Sequence, residues 1–103
     1  MRIIARSTLL RYAKRAGRIE SASPLTEWYR LASRATWRTP NDVKSTLGNA
    51  SIINHERVVF NIAGNKHRLI AAIDYQRQVL FVKFIGNHSE YDRVDAATID
   101  AWE

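Results

Sequence analysis

The sequence predicts an α+β domain: a small antiparallel sheet, made of a three-stranded meander plus a short N-terminal strand, with helices packed on one side. Two patterns predict it. Between Ser7 and Gly48 the apolar residues recur at helical spacing, whereas from Arg57 to Ile85 they fall into three β-rich runs joined by short polar turns. Size supplies the third observation. A chain of 103 residues, 46% hydrophobic and 25% charged, can bury one modest core and is expected to form a single domain over residues 1–103.

Arg2 to Ala5 is a short apolar run suited to an edge or joining strand. From Ser7 onward Leu9, Ala13 and Ala16 fall at i, i+4, i+7, with Arg11, Lys14, Arg15 and Arg18 on the other side, which predicts a helix with a basic face. A second helix starts with Ser23 as N-cap and Pro24 next, where the missing N–H has no helical partner to lose. Its apolar face is Leu25, Trp28, Tyr29 and Ala32, and Arg30 and Arg34 lie opposite. Thr39 and Pro40 repeat the start signal, Asp42 suits the positive end of the helix dipole, and Gly48 is the expected stop. Trp37 is expected to plug the linker between these helices. Gly48 to Glu56 reads as a loop or a very short strand.

In the meander, Val58, Phe60 and Ile62 alternate with Val59 and Asn61. Gly64 and Asn65 suit the following tight turn, because both tolerate positive φ. The second strand puts His67, Leu69, Ala71, Ile73 and Tyr75 on one face and Arg68, Ile70, Ala72 and Asp74 on the other. A two-residue turn at Gln76 and Arg77 leads to Val79–Ile85, apolar on both faces except Lys83 and therefore expected at the sheet centre. After Gly86, Asn87 or His88 can cap a short final helix with Glu90 and Asp92 in its first turn, and Val94, Ala97 and Trp102 can pack it back.

Sixteen Lys plus Arg against ten Asp plus Glu give a net charge of +6, and the sequence pI is about 10.2. A small domain this basic points first to nucleic acid. The gradient is steep: Arg2, Arg6, Arg11, Lys14, Arg15 and Arg18 precede the first acid, while Glu90, Asp92, Asp95, Asp100 and Glu103 crowd the C-terminal end. No cysteine is present, so disulfides and Cys-ligated metals are excluded. His55, His67 and His88 match no metal-ligand spacing, and neither a metal nor a cofactor is expected. No apolar stretch is long enough to span a membrane, and the Met1 end has no signal-peptide core, so no membrane partner and a cytoplasmic location are expected.

The remaining polar residues suit RNA cleavage. In that reaction a 2′-OH attacks the adjacent 3′-phosphate, so a site needs a proton acceptor, a cation on the phosphate oxygens and a proton donor for the leaving 5′-oxygen. Arg68 can bind two phosphate oxygens at once; as a structural residue it would be a surface arginine or a partner for Asp74. His88 can transfer protons near neutral pH, or simply cap the last helix. Tyr91 can stack on a base or donate to phosphate, and Lys66 can hold backbone charge from its turn.

The run VVFNIAGNKHRLIAAIDY, the later GNHSEYD, and Trp37, Pro40, Asp42, Val43 and Lys44 of the W-x-x-P-x-D-V-K element closely resemble the HigB group of bacterial type II toxins, which is related to RelE. The resemblance implies a RelE-like fold and a metal-independent endoribonuclease that cuts mRNA, usually on the translating ribosome. It also implies a HigA-like antitoxin with a helix-turn-helix domain, whose complex with the toxin binds operator DNA. By motif, the catalytic residues are Arg68, His88 and Tyr91. Where RelE carries several lysines in the first meander strand, this chain has Val59 and Asn61, so phosphate contacts are expected from Asn61, Lys66, Lys83 or the N-terminal helices, and proton transfer from His88. A non-catalytic RNA- or partner-binding module on the same fold, and a relative that poisons DNA gyrase, are the alternatives.

Overall fold

The computed structural model describes residues 1–15 and 17–100; Ala16 of the first predicted helix and Trp102 lie outside them. The chain runs β1 (Arg2–Ile4), α1 (Arg6–Lys14), a 3-10 turn (Ile19–Ser21), α2 (Ala22–Arg34), α3 (Pro40–Thr46), β2 (Ser51–Ile52), β3 (Arg57–Ile62), β4 (His67–Asp74), β5 (Val79–Asn87) and α4 (His88–Tyr91). The strands form one sheet in the order β1-β5-β4-β3-β2, antiparallel except for β1, which pairs parallel with Val79 to Phe81. No helix among the described residues is long and apolar enough to cross a membrane.

The sheet therefore exceeds the predicted meander by β2, and its middle strand is β4, not β5. Apolar residues on both faces of a strand report that both faces are covered; they do not fix its rank in the sheet. β4 is the better covered of the two. Leu69, Ile70 and Ala71 are fully buried, whereas Phe81, Phe84 and Ile85 of β5 are only half-buried.

The helices pack on one face. Val58, Phe60, Ile62, Leu69, Ala71, Ile73, Leu80 and Val82 project from it into a core with Leu9, Tyr12, Leu25, Trp28, Ala32 and Val43. Phe60 sits between two indoles: its ring centroid is 5.2 Å from that of Trp28, edge-on, and 6.0 Å from that of Trp37, stacked. Trp37 is thus the plug its position suggested, with its Nε1 donating to Thr46 Oγ1 at 3.0 Å. The other face, with Val59, Ile70 and Ala72, meets the C-terminal segment. Arg57 projects there and donates to the carbonyls of Ala96 (3.3 Å) and Ile99 (2.6 Å), with Val94 and Ala97 half-buried nearby.

Local signals were partly displaced. α3 has its expected start, a reciprocal capping box in which Thr39 Oγ1 accepts from Asp42 N and the Asp42 carboxylate accepts from Thr39 N. Its last helical residue is Thr46, and Gly48 lies two residues beyond. In α2 the cap is not Ser23. The 3-10 turn feeds directly into the helix at Ala22 with Ser21 already helical, and Pro24 falls within the first turn, where N–H groups have no intrahelical acceptor. The β3–β4 turn takes positive φ at Ala63 and Gly64 rather than at Asn65. The β4–β5 turn is four residues, Tyr75 to Gln78, because Asp74 Oδ1 accepts from Arg77 N and Gln78 takes the left-handed conformation.

Candidate active site

Residues paired across antiparallel strands project from the same face. Asn61 pairs with Arg68 and Arg68 with Gly86, so these three make a row across β3, β4 and β5 on the face away from the helices. The place a side chain of residue 86 would take beside Arg68 is filled by Phe84 and Glu90. The Arg68 guanidinium donates to Asn65 O at 2.8 Å and lies 5.7 Å from the centroid of the Tyr91 ring. Such a cation–π contact helps hold the guanidinium while its other N–H groups can reach an oxyanion. Asp74 is not its partner; that carboxylate pairs with Arg77 at 3.1 Å.

His88 opens α4 at the end of β5, three residues before Tyr91. Its Nδ1 is 3.1 Å from Asp92 Oδ2, and both side chains are more than half exposed. A carboxylate can only accept, so Nδ1 carries the proton of the neutral ring and Nε2 is left as the acceptor. Asp92 stands at the C-terminal cap of α4 rather than in its first turn, because the helix ends at Tyr91.

What fixes α4 is Glu90. Asn87 caps the helix by accepting from Glu90 N at 2.8 Å, and Glu90 Oε1 returns the bond to Asn87 N at 2.8 Å. The same carboxylate meets Arg18 at 3.0 Å and Arg15 at 3.5 Å. Burial pushes its pKa up, but the Asn87 N–H and the two guanidiniums outweigh it and hold the carboxyl below its ordinary range. Gly86 lets this end of the chain close. A Cβ there would lie 2.6 Å from Phe84 Cζ and 3.0 Å from Glu90 Cβ. Gly86→Ala is accordingly expected to lower stability by about 1–3 kcal/mol, read as a lower urea midpoint with unchanged slope.

The other predicted phosphate ligands are less converged. Asn61 shares the Arg68 face, but its Nδ2 donates to Asn49 O at 3.2 Å. Lys66 is exposed in the β3–β4 turn; the Glu20 carboxyl, held low first by a backbone N–H and then by His67, also feels its charge. Lys83 is the extra residue of a β-bulge, since Ile70 pairs with Phe84 and Ala71 with Val82. It lies 5.5 Å from the Phe81 ring and pairs with Asp100 at 3.2 Å, so RNA would have to compete with that carboxylate.

Sequence reasoning missed a buried polar chain behind the site. Tyr12 Oη is 2.7 Å from His67 Nδ1, and His67 Nε2 is 3.0 Å from Glu20 Oε1, with Tyr12 and His67 each 2% exposed. The signal was a histidine at a core position of β4, which has to find polar partners. Among the described residues no group of His, Cys, Asp and Glu could hold a metal ion.

A mixed sheet with helices packed on one face agrees with a RelE-like toxin fold. Residues 21–94 match the family described as HigB toxin, the RelE-like toxic component of a toxin-antitoxin system, and the chain belongs to that family. It is 31% identical over 75 residues to the mRNA interferase HigB of Escherichia coli O6:H1 (strain CFT073), a span of 71% of this chain and 73% of that relative.

Proposed function

We propose that this toxin is an endoribonuclease that cuts mRNA on the translating ribosome, working as one domain over residues 1–103 with side chains alone. The observation that carries the reading is the Arg68 guanidinium held against the Tyr91 ring at the end of the sheet where α4 begins with His88. Likeness to an mRNA interferase supplies the substrate class.

In the proposed reaction the 2′-OH gives its proton to His88 Nε2, which Asp92 keeps in the accepting tautomer. The 2′-oxygen bonds to phosphorus while the bond to the 5′-oxygen breaks. Arg68 holds the charge that builds on the non-bridging oxygens, and Tyr91 protonates the leaving 5′-oxygen. The products are a 2′,3′-cyclic phosphate and a 5′-hydroxyl; solvent carries the proton from His88 back to Tyr91. Asn61 and Lys66, and Lys83 once released from Asp100, hold flanking phosphates. A HigA-like helix-turn-helix antitoxin restrains the toxin and carries the complex to operator DNA.

Expression without antitoxin is expected to stop growth and to produce new transcript ends within coding regions, lost when translation is blocked. His88→Ala is expected to relieve arrest while the protein still folds. Full-length transcripts with unaffected growth would refute the ribonuclease reading, and DNA damage without transcript cleavage would replace it with gyrase poisoning.

A further inference from the structure

His67 and Arg68 leave β4 on opposite faces, yet a series of side-chain contacts joins them again. His67 Nδ1 is 2.7 Å from Tyr12 Oη. The guanidinium of Arg18 lies 5.5 Å from the centroid of the Tyr12 ring and donates to Glu90 Oε1 at 3.0 Å. The residue after Glu90 in α4 is Tyr91, whose ring centroid is 5.7 Å from the Arg68 guanidinium. The contacts thus close a circuit from His67 through Tyr12, Arg18, Glu90 and Tyr91 back to Arg68. We infer that Arg18 and Glu90 are positioning residues for RNA cleavage, their ion pair setting α4 so that Tyr91 and His88 stay aligned with Arg68.

α4 has four residues, none of them buried, and a single helical turn has no stability of its own. The capping box shapes that turn, but Asn87 and Glu90 both belong to it, so the box does not decide where the turn sits against the N-terminal half of the chain. Arg18 reaches it from 72 residues away. Arg18 is itself held, since its carbonyl accepts from Ser21 N at 2.9 Å and from the buried Ser21 Oγ at 2.6 Å. Its side chain is only 18% exposed, whereas that of Arg15, 3.5 Å from the same carboxylate, is 56% exposed and screened by water. Arg18 therefore carries the tie. The other end of the circuit is equally fixed, because His67 and Arg68 are consecutive in a strand paired on both sides.

The inference rests on the ribonuclease reading. Arg18→Gln removes the tie and leaves the capping box; Glu90→Gln keeps an oxygen for the Asn87 N–H but loses the charge that meets Arg18. One variant removes a cation and the other an anion, so their effects on attraction to RNA are opposite in sign while their effects on alignment agree. Single-turnover cleavage of a defined message on translating ribosomes, with toxin raised to saturation, tells these apart. The maximal rate is expected to fall by about 10–10²-fold in both variants, as a misplacement near 1 Å would cause, with the half-saturating concentration little changed. Arg18→Lys, which keeps a cation between Tyr12 and Glu90, is expected to recover most of the rate. Hydrogen exchange gives a readout that needs no cleavage: in Arg18→Gln the Glu90 and Asp92 amides, bonded to Asn87 Oδ1 and His88 O, exchange faster while those of β4 keep their protection. Wild-type maximal rates, opposite changes in the two variants, losses that follow the unfolded fraction in a thermal melt, or unaltered exchange in α4 each overturn the inference. A wild type that leaves the message uncut overturns the ribonuclease reading instead, and the exchange measurement keeps that outcome apart from failure of the Arg18 tie.

Discussion

Replacing Arg68 with alanine is expected to slow RNA cleavage by about 10²–10³-fold, equivalent to about 2.7–4 kcal/mol in the barrier, the usual cost of removing one fixed donor from a developing oxyanion. Stability should hardly change. Arg68 is only partly buried, and its side chain donates to the carbonyl of Asn65 in an exposed turn. Its backbone is fixed from both sides, by Asn61 on β3 and Gly86 on β5, whatever the side chain. A lysine at this position should restore little, because an ammonium does not fork across two phosphate oxygens. Single-turnover cleavage of a defined RNA, with a thermal melt of the same preparation, gives both numbers. A loss of activity matched by a large fall in melting temperature would return Arg68 to a structural role. Cleavage within about threefold of wild type would remove it from the reaction, since that corresponds to less than 1 kcal/mol.

Strict alternation made β4 readable in the sequence, and with it the division between its faces: His67 inward, Arg68 outward. The capping residues of α3 and α4 were readable for a similar reason, as both boxes depend on a side chain and a backbone N–H only three positions apart. β2 was readable only as one of two alternatives, a loop or a very short strand. Its two residues are exposed and it is held by backbone pairing to Val58 and Val59, which leaves no side-chain pattern. The bulge at Lys83 and the ion pair with Asp100 were hidden, being set by the register of β5 on β4 and by a segment 17 residues away. That ion pair changes the account of the site, because a lysine assigned to phosphate is already matched to a carboxylate. The convergence of Arg68 with Tyr91 was suggested by motif alone; sequence spacing could not supply the turn of chain through Gly86 that puts the ring over the guanidinium.

The largest stability effect is expected from His67→Ala, about 3–5 kcal/mol, because it makes a cavity and strands a hydroxyl at once. His67 lies between Tyr12 of α1 and Glu20 of the 3-10 turn, and so joins β4 to two elements of the N-terminal half. Cutting the side chain back leaves Tyr12 Oη without its partner in a site where burial already pushes the phenol pKa up. Tyr12→Phe separates the two costs. It removes the hydroxyl but keeps the ring that packs edge-on against His67 at 5.5 Å, so about 1–3 kcal/mol is expected for the unpartnered imidazole nitrogen alone. In the double variant the polar mismatch has gone from both sides, and the combined loss should fall below the sum of the two by about 1–2 kcal/mol. Urea unfolding of the four proteins closes the cycle. Additive losses would mean that Tyr12 and His67 contribute only as apolar bulk, and the hydrogen-bonded chain through them would have no part in holding α1 to the sheet.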